Sequence, residues 1–401
     1  MIRRKSLKNS IAASAVAGAV VFSFMFTQPV TAQAEGEDDG GHIIPHEIGK
    51  LNISGGITSI LQGTSGIADN GDVTDFTYTL DLNFEAGVTS TGKVVVALEA
   101  GNGGGVNDDT GALSSSNYDA FITELTTDKD NSFAAISVSQ AYFEGSFFDG
   151  KLGLKIGKLD VHSCHDENAY ANDETDQFIT GMFSRYAGSI FPELDSYYAP
   201  GITLTYSPVN MLDITVTAAN GVDSGFEDIS SDAYGAGQIN IKPGLFGKEG
   251  NYRFYYVYDA RNYTDISDSS RTDETNTAFG LSFDQEIMDG FGLFARYAAI
   301  DDGIDENLVK SAISGGVSLN GSLWNRENDV VGIAAGVLAI NEASSSVAAT
   351  PDDESHIELY YKLGFSEHFT LTPDLQIVTN AGGDADHDTI TVYGLRAQMN
   401  F

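Results

Sequence analysis

Sixteen stretches of this chain alternate apolar and polar side chains with a period of two. The clearest puts Phe76, Tyr78, Leu80, Leu82, Phe84, Ala86 and Val88 on one face and Thr77, Thr79, Asp81, Asn83, Glu85 and Gly87 on the other. Side chains of a strand point alternately to its two faces, so each stretch is predicted to be a strand with one oily and one wet side. After residue 34 no apolar run approaches the roughly 20 residues a spanning helix needs, which excludes an inner-membrane helical transporter. Two architectures remain: a soluble antiparallel sandwich, and a transmembrane barrel with its apolar face in lipid.

The connections decide between them. The runs cover about 50–61, 76–88, 92–101, 133–147, 151–161, 199–207, 211–220, 233–242, 251–262, 275–287, 290–300, 309–320, 329–340, 355–365, 368–378 and 388–401. Short turns such as Thr89-Ser90-Thr91, Asp149-Gly150, Pro208-Val209-Asn210, Asp289-Gly290 and Ser366-Glu367 fall at alternate junctions. Long acidic connections fill the others, at about 102–132, 162–198, 221–232, 263–274, 301–308, 341–354 and 379–387. A sandwich has no reason to sort its loops in this way, whereas an outer-membrane barrel does. The expected fold is therefore all-β: a transmembrane antiparallel β-barrel of about 16 strands, with short periplasmic turns, long outer loops and an even strand number.

The amino terminus agrees. Arg3, Arg4, Lys5 and Lys8 precede a short apolar stretch, Ile11 to Phe26, and then Ala32-Gln33-Ala34. A basic region, an apolar region too short to span comfortably and a small-x-small site make residues 1–34 a signal peptide. Residues 35–49 form a polar leader, and 50–401 the barrel, expected in the cell outer membrane. The net charge is −36, and the signal peptide carries basic but no acidic residues, so the exported chain is more acidic still. That balance argues against nucleic acid as a partner. It suits acidic outer loops kept soluble by their charge, or divalent cations bridging them. Cys164 is the only cysteine, so no intramolecular disulfide holds the fold.

The last nine positions place Tyr393, Leu395, Ala397, Met399 and Phe401 on one face and Gly394, Arg396, Gln398 and Asn400 on the other. A terminal aromatic on the lipid face is expected to serve as the signal read by the barrel assembly machinery. Rings near strand ends, Tyr252, Phe254, Tyr256, Tyr258, Phe291, Tyr297, Tyr361 and Phe365, are expected to form interfacial girdles against outer-membrane lipid and lipopolysaccharide.

The opposite parity assigns lumen positions: Asp81, Glu85, Glu99, Lys155, Arg253, Asp259, Arg261, Arg296, Glu358, Lys362, Asp374 and Arg396. Charges of both signs in a barrel line water, and guanidinium groups and carboxylates hydrogen-bond the hydroxyls of sugars. The alternative is that they pair with each other and brace the wall. The connection 162–198 mixes Phe178, Ile179, Met182, Phe183, Ile190 and Phe191 with Asp173, Glu174 and Arg185. A loop this apolar is expected to fold into the lumen and narrow it. The expected pore lining and constriction therefore comprise Glu85, Lys155, Asp173, Glu174, Arg185, Arg253, Arg261, Arg296, Glu358, Lys362 and Arg396.

Other chemistry finds little support. Asp160, His162, Cys164, His165 and Asp166 are metal-ligand types, but their spacing fits no regular zinc pattern, and no cofactor is expected. His356 and His368 on adjacent predicted strands admit a barrel lipid hydrolase, yet no Gly-x-Ser-x-Gly elbow accompanies them, and no enzyme is expected. A purely structural surface barrel is a further alternative.

The segment Trp324-Asn325-Arg326-Glu327-Asn328-Asp329-Val330-Val331-Gly332-Ile333-Ala334, with Glu358-Leu359-Tyr360-Tyr361-Lys362 and Leu371-Thr372-Pro373-Asp374-Leu375-Gln376, resembles the carbohydrate-selective, OprB-type porins of Gram-negative outer membranes. Val392-Tyr393-Gly394-Leu395-Arg396 extends the similarity, as do Gln140-Ala141-Tyr142-Phe143-Glu144, Gly157-Lys158-Leu159-Asp160 and Asn172-Asp173-Glu174-Thr175 upstream. Asn380-Ala381-Gly382-Gly383 stands where the family has Asn-Pro-Gly-Gly. The resemblance implies a sixteen-stranded barrel, an assembly that in general porins is a homotrimer, and passive diffusion of small neutral sugars. The extreme acidity departs from that pattern and motivates a cation-preferring general pore as the alternative.

Overall fold

The computed structural model describes residues 47–48, 51–67, 71–126, 136–185, 198–221 and 232–401. The expected signal peptide, the leader up to residue 46, and Ile190 and Phe191 lie outside them. The strands are β1 (Glu47–Ile48), β2 (Leu51–Ser65), β3 (Thr74–Thr89), β4 (Gly92–Asn102), β5 (Ser137–Phe147), β6 (Leu152–Asp160), β7 (Tyr198–Val209), β8 (Leu212–Asn220) and β9 (Ala233–Ile241). They continue as β10 (Gly250–Tyr263), β11 (Glu274–Met288), β12 (Phe291–Ile300), β13 (Val309–Asn320), β14 (Val330–Ile340), β15 (Glu354–Gly364), β16 (Phe369–Thr379) and β17 (Ile390–Asn400).

Each strand from β2 to β17 pairs antiparallel with its neighbours in sequence, and β17 pairs back onto β2, with Arg396 opposite Ile60 and Asn400 opposite Gly56. The sixteen strands thus form a closed barrel, which leaves no unpaired sheet edge in lipid. The two-residue β1 pairs with the start of β2.

The alternation sorts as the sequence predicts. On β10, Phe254, Tyr256 and Tyr258 project outward while Arg253, Tyr255, Val257 and Asp259 point inward. On β17, Tyr393 and Leu395 are outside, and Arg396, 1% exposed, is inside. Large apolar side chains are thus exposed on the outer wall and charged ones enclosed within it, the inverse of a soluble domain.

Residues 90–91, 210–211 and 289–290 make the tightest turns. Two connections on the same side are longer, 242–249 and 321–329, as the gaps between the predicted runs imply, and each winds a 3-10 turn, at Leu245–Gly247 and Gly321–Trp324. The second is a hydrogen-bonded knot. The Gly321 N–H donates to the Asp329 carbonyl and the Arg326 N–H to the Gly321 carbonyl, both at 2.8 Å. Asp329 accepts from Arg326, from the Tyr361 hydroxyl at 2.7 Å and from the Gly364 N–H. Arg326 and these hydrogen bonds hold its carboxyl down at about 2.

Among the described residues, two of the long connections turn inward. The β6–β7 connection does so as expected, with a 3-10 turn at His162–Cys164 and a short helix at Gly181–Ser184. The β4–β5 connection, read from sequence as an outer acidic loop, also enters the lumen. It carries helices at Asn107–Thr110 and Tyr118–Thr126, and its Ser116 carbonyl accepts from the wall amides of Gln62 and Gln376. The main apolar core lies inside the barrel, where Phe178, Met182 and Phe183 pack on inward residues of β9 to β15 such as Tyr255, Phe294 and Tyr360.

Candidate functional site: a narrowed lumen

Residues 161–185 follow the inner wall and are fastened to it along their course. Asp160 caps the entry, its Oδ1 accepting from the His162 and Ser163 N–H groups at 3.0 Å. The Asp166 N–H then donates to Gln238, and its carboxylate meets Arg296 Nε at 3.0 Å. Arg296 also donates to the carbonyls of Phe183 (2.6 Å) and Asp166 (3.1 Å), so one guanidinium ties both limbs of the loop. Tyr170 lies against Gly292, where a methyl group would overlap its ring. Farther on, Arg396 Nη1 donates to the Glu174 carbonyl (2.7 Å), Gln398 to Thr175 (2.9 Å) and Lys362 to Asp176 (2.7 Å). Glu358 accepts from the N–H groups of Ile179 and Thr180. Phe178 completes the seat, with its ring 4.9 Å from Tyr360 and 5.2 Å from Phe183.

The second inserted segment is joined to the first. The Tyr118 N–H donates to the Ile179 carbonyl, and the Gly181 N–H to the Ser115 carbonyl, both at 2.9 Å. Glu354 anchors it at the long-loop end by accepting from Leu113, Ser114 and Gly382 N–H groups, while His356 Nε2 lies 2.6 Å from its carboxylate. Together the two insertions bring carboxyl groups close to one another. Asp119 accepts from the Thr79 hydroxyl (2.8 Å) and feels Asp81 and Glu99; burial above all pushes it up to about 7. Glu174 keeps part of its surface open to the lumen, yet burial of its carboxyl above all, and then the charge of Asp173 beside it, pushes it up to about 8. Arg185, 3.4 Å from Asp160, faces this group from the other limb.

Of the residues singled out from sequence, Arg296, Glu358, Lys362 and Arg396 hold the inserted loop. Arg253 is matched by Asp284 at 2.5 Å, and Arg261 by Asp259 and the Tyr263 hydroxyl. Glu85 is matched by Lys93 at 2.8 Å. Asp173 accepts from the Thr175 N–H and hydroxyl and borders a cavity. Lys155 lies over the Tyr142 ring at 5.8 Å and faces open lumen. The sequence does not single out Asp119, because the length and acidity of the β4–β5 connection assign it to the outer loops. The available signal was the small polar run Ser114-Ser115-Ser116-Asn117 followed by Tyr118, Phe121, Ile122 and Leu125 at helical spacing.

The metal-type residues have other occupations. His165 Nε2 lies 2.9 Å from the Thr217 hydroxyl, Asp166 serves Arg296, and the Thr203 hydroxyl donates to Cys164 Sγ. Burial lowers both His162 and His165 to about 3, so both are neutral. His356 lies near the long-loop end of β15, whereas His368 lies in the short β15–β16 turn, at opposite ends of the wall.

The family described as "Carbohydrate-selective porin, OprB family" matches residues 66–401. Porin AaxA of Chlamydia abortus is 26% identical over 285 residues, covering 68% of this chain and 59% of that protein. Porin AaxA of Chlamydia pneumoniae is 27% identical over 287 residues, covering 68% and 60%. The chain thus spans about three-fifths of the length of these curated relatives. The high-pH structure of Pseudomonas putida OprB superposes with a TM-score of 0.74 at 16% identity, covering 88% of this chain and 94% of that one.

Proposed function

We propose that this chain, which belongs to the carbohydrate-selective porin (OprB) family, lets small neutral sugars diffuse passively across the outer membrane. The family and the barrel indicate the outer membrane of a Gram-negative bacterium and a channel rather than an enzyme. The observation that carries the sugar reading is a lumen lined by polar side chains and by charges of both signs, narrowed by a loop pinned at several points. Such a wall exchanges a sugar's hydration for hydrogen bonds without binding it too tightly to leave. Planar bilayers with a sugar series test it: concentration-dependent block of the ion current supports the reading, and no effect of any sugar contradicts it.

A second reading, a cation-preferring pore, is favoured by one feature: Asp81, Glu99, Asp119, Asp173 and Glu174 gather at the narrowing. Reversal potentials in a salt gradient separate the two. Oligomerisation, contact with lipopolysaccharide and recognition by the barrel assembly machinery belong to the same proposal.

A further inference from the structure

Toward the short-turn side of the inserted loops the lumen holds two cavities, of about 600 and 780 Å³, lined by no residue in common. Their chemistry differs. Around the smaller one Lys93, Lys155 and Arg253 balance Glu144, Glu167 and Asp213. Lys93 is held by Glu85 and Glu144, and Arg253 by Asp284. Lys155 has no acidic partner within ion-pair reach among the described residues. Beside it stand the hydroxyls of Thr205 and Thr215, and Asn240, 7% exposed, whose Nδ2 donates to Asn251 while its Oδ1 receives no hydrogen bond. The larger cavity is bordered by Asp81, Asp173, Asp176, Glu327 and Glu367 against one cation, Lys362, which Asp176 already engages.

Hydroxyl groups both donate and accept, so a polyhydroxyl solute is matched by interleaved donors and acceptors with no net charge. A cation is drawn instead to the wall with a surplus of carboxylates. We propose that the two cavities are separate lanes: a neutral polyhydroxyl solute settles between Lys155, Asn240, Thr205 and Thr215, while cations pass beside Asp81, Asp173, Glu327 and Glu367. A sugar bound in the first lane therefore leaves a cation path open in the second. The inference rests on the proposal that the barrel admits sugars, and it adds where in the lumen they dwell.

The test is the full-length protein in planar bilayers with potassium chloride and maltose as the probe. Saturating maltose is expected to lower the current to a plateau above zero, and the reversal potential in a salt gradient to move further toward the cation value. Asn240→Ala and Thr215→Val, made separately, are each expected to raise the half-blocking concentration by about threefold to tenfold, the effect of one hydrogen bond. Glu327→Gln with Glu367→Gln is expected to diminish the extra cation preference of the blocked state; both residues lie in turns, outside the strands that close the barrel. Complete block, or a residual current no more cation-preferring than the open pore, overturns the separate lanes while leaving sugar passage intact. No block at all overturns the sugar reading and the lanes with it.

Discussion

The carboxylate of Glu358 on β15 lies 2.6 Å from the backbone nitrogen of Ile179 in the inserted loop. Its second oxygen takes the Thr180 N–H at 3.1 Å, so one wall side chain satisfies two adjacent backbone donors buried beside Phe178. Removing the carboxylate by Glu358→Ala strands both donors where water does not reach, at about 1–3 kcal/mol each. The loop is expected to leave the wall intermittently, seen as larger open-channel noise in single-channel records. Glu358→Gln keeps one acceptor and is expected to fall between the two; equal noise in all three proteins would show that the contact does not hold the loop.

Arg296 and Asp166 form a second clasp, and both are fully enclosed. Arg296→Ala takes the guanidinium away from the buried Asp166 carboxylate and is expected to cost about 3–5 kcal/mol. Arg296→Met with Asp166→Asn removes both charges and is expected to cost less than Arg296→Ala alone. Thermal unfolding of detergent-solubilised protein measures the order; additive losses would contradict the coupling.

Asp119 and Glu174 titrate higher in the folded barrel, at about 7 and about 8, than the 3.8 and 4.5 of free carboxyl groups. Folding therefore takes up protons, and the stability this confers is complete below about pH 4 and lost as pH rises through 7 and 8. The same rise adds negative charge at the narrowing. Cation preference is expected to be stronger at pH 9 than at pH 6, and Asp119→Asn with Glu174→Gln to flatten that dependence. A reversal potential independent of pH in the unaltered protein would contradict the placement of these groups.

The wall was legible in the sequence because it is a period-two pattern, and lipid outside with water inside imposes that pattern on every strand. Tyr393, Leu395 and Arg396 stand on the faces their parity assigns. The loop around Phe178 was legible because its apolar content demanded burial. What parity did not disclose was occupation: Arg296, Glu358 and Arg396 read as pore lining, and whether a lumen charge faces water or clasps a loop depends on where the loop lies. The inward turn of the β4–β5 connection escaped for the same reason, since Gln62 and Gln376 capture its Ser116 carbonyl from positions remote in sequence.

Phe401 closes the seam. Its N–H donates to the Gly55 carbonyl (3.0 Å), and its own carbonyl accepts from the Gly55 N–H (3.1 Å), extending the β17–β2 pairing. Deleting it removes both bonds and the terminal ring. The yield of folded protein is expected to drop several-fold, measured by heat-shifted mobility of the folded band, and normal yield would contradict its part in closing the seam.

Gly321 permits the β13–β14 knot, since a methyl group there would collide with the Arg326 carbonyl, which is backbone and not free to move aside. Gly321→Ala is expected to destabilise by about 1–3 kcal/mol through that overlap. The unfolding midpoint measures it, and an unchanged midpoint would show that the turn relaxes freely.

Liposome swelling tests the central claim most directly. Proteoliposomes are placed in isosmotic solutions of a graded series of neutral sugars, with empty liposomes as the control. The account predicts swelling that is fastest for monosaccharides, slower for disaccharides, and faster still in the Glu358→Ala protein. Swelling no faster than in empty liposomes, for every sugar and for both proteins, would contradict it.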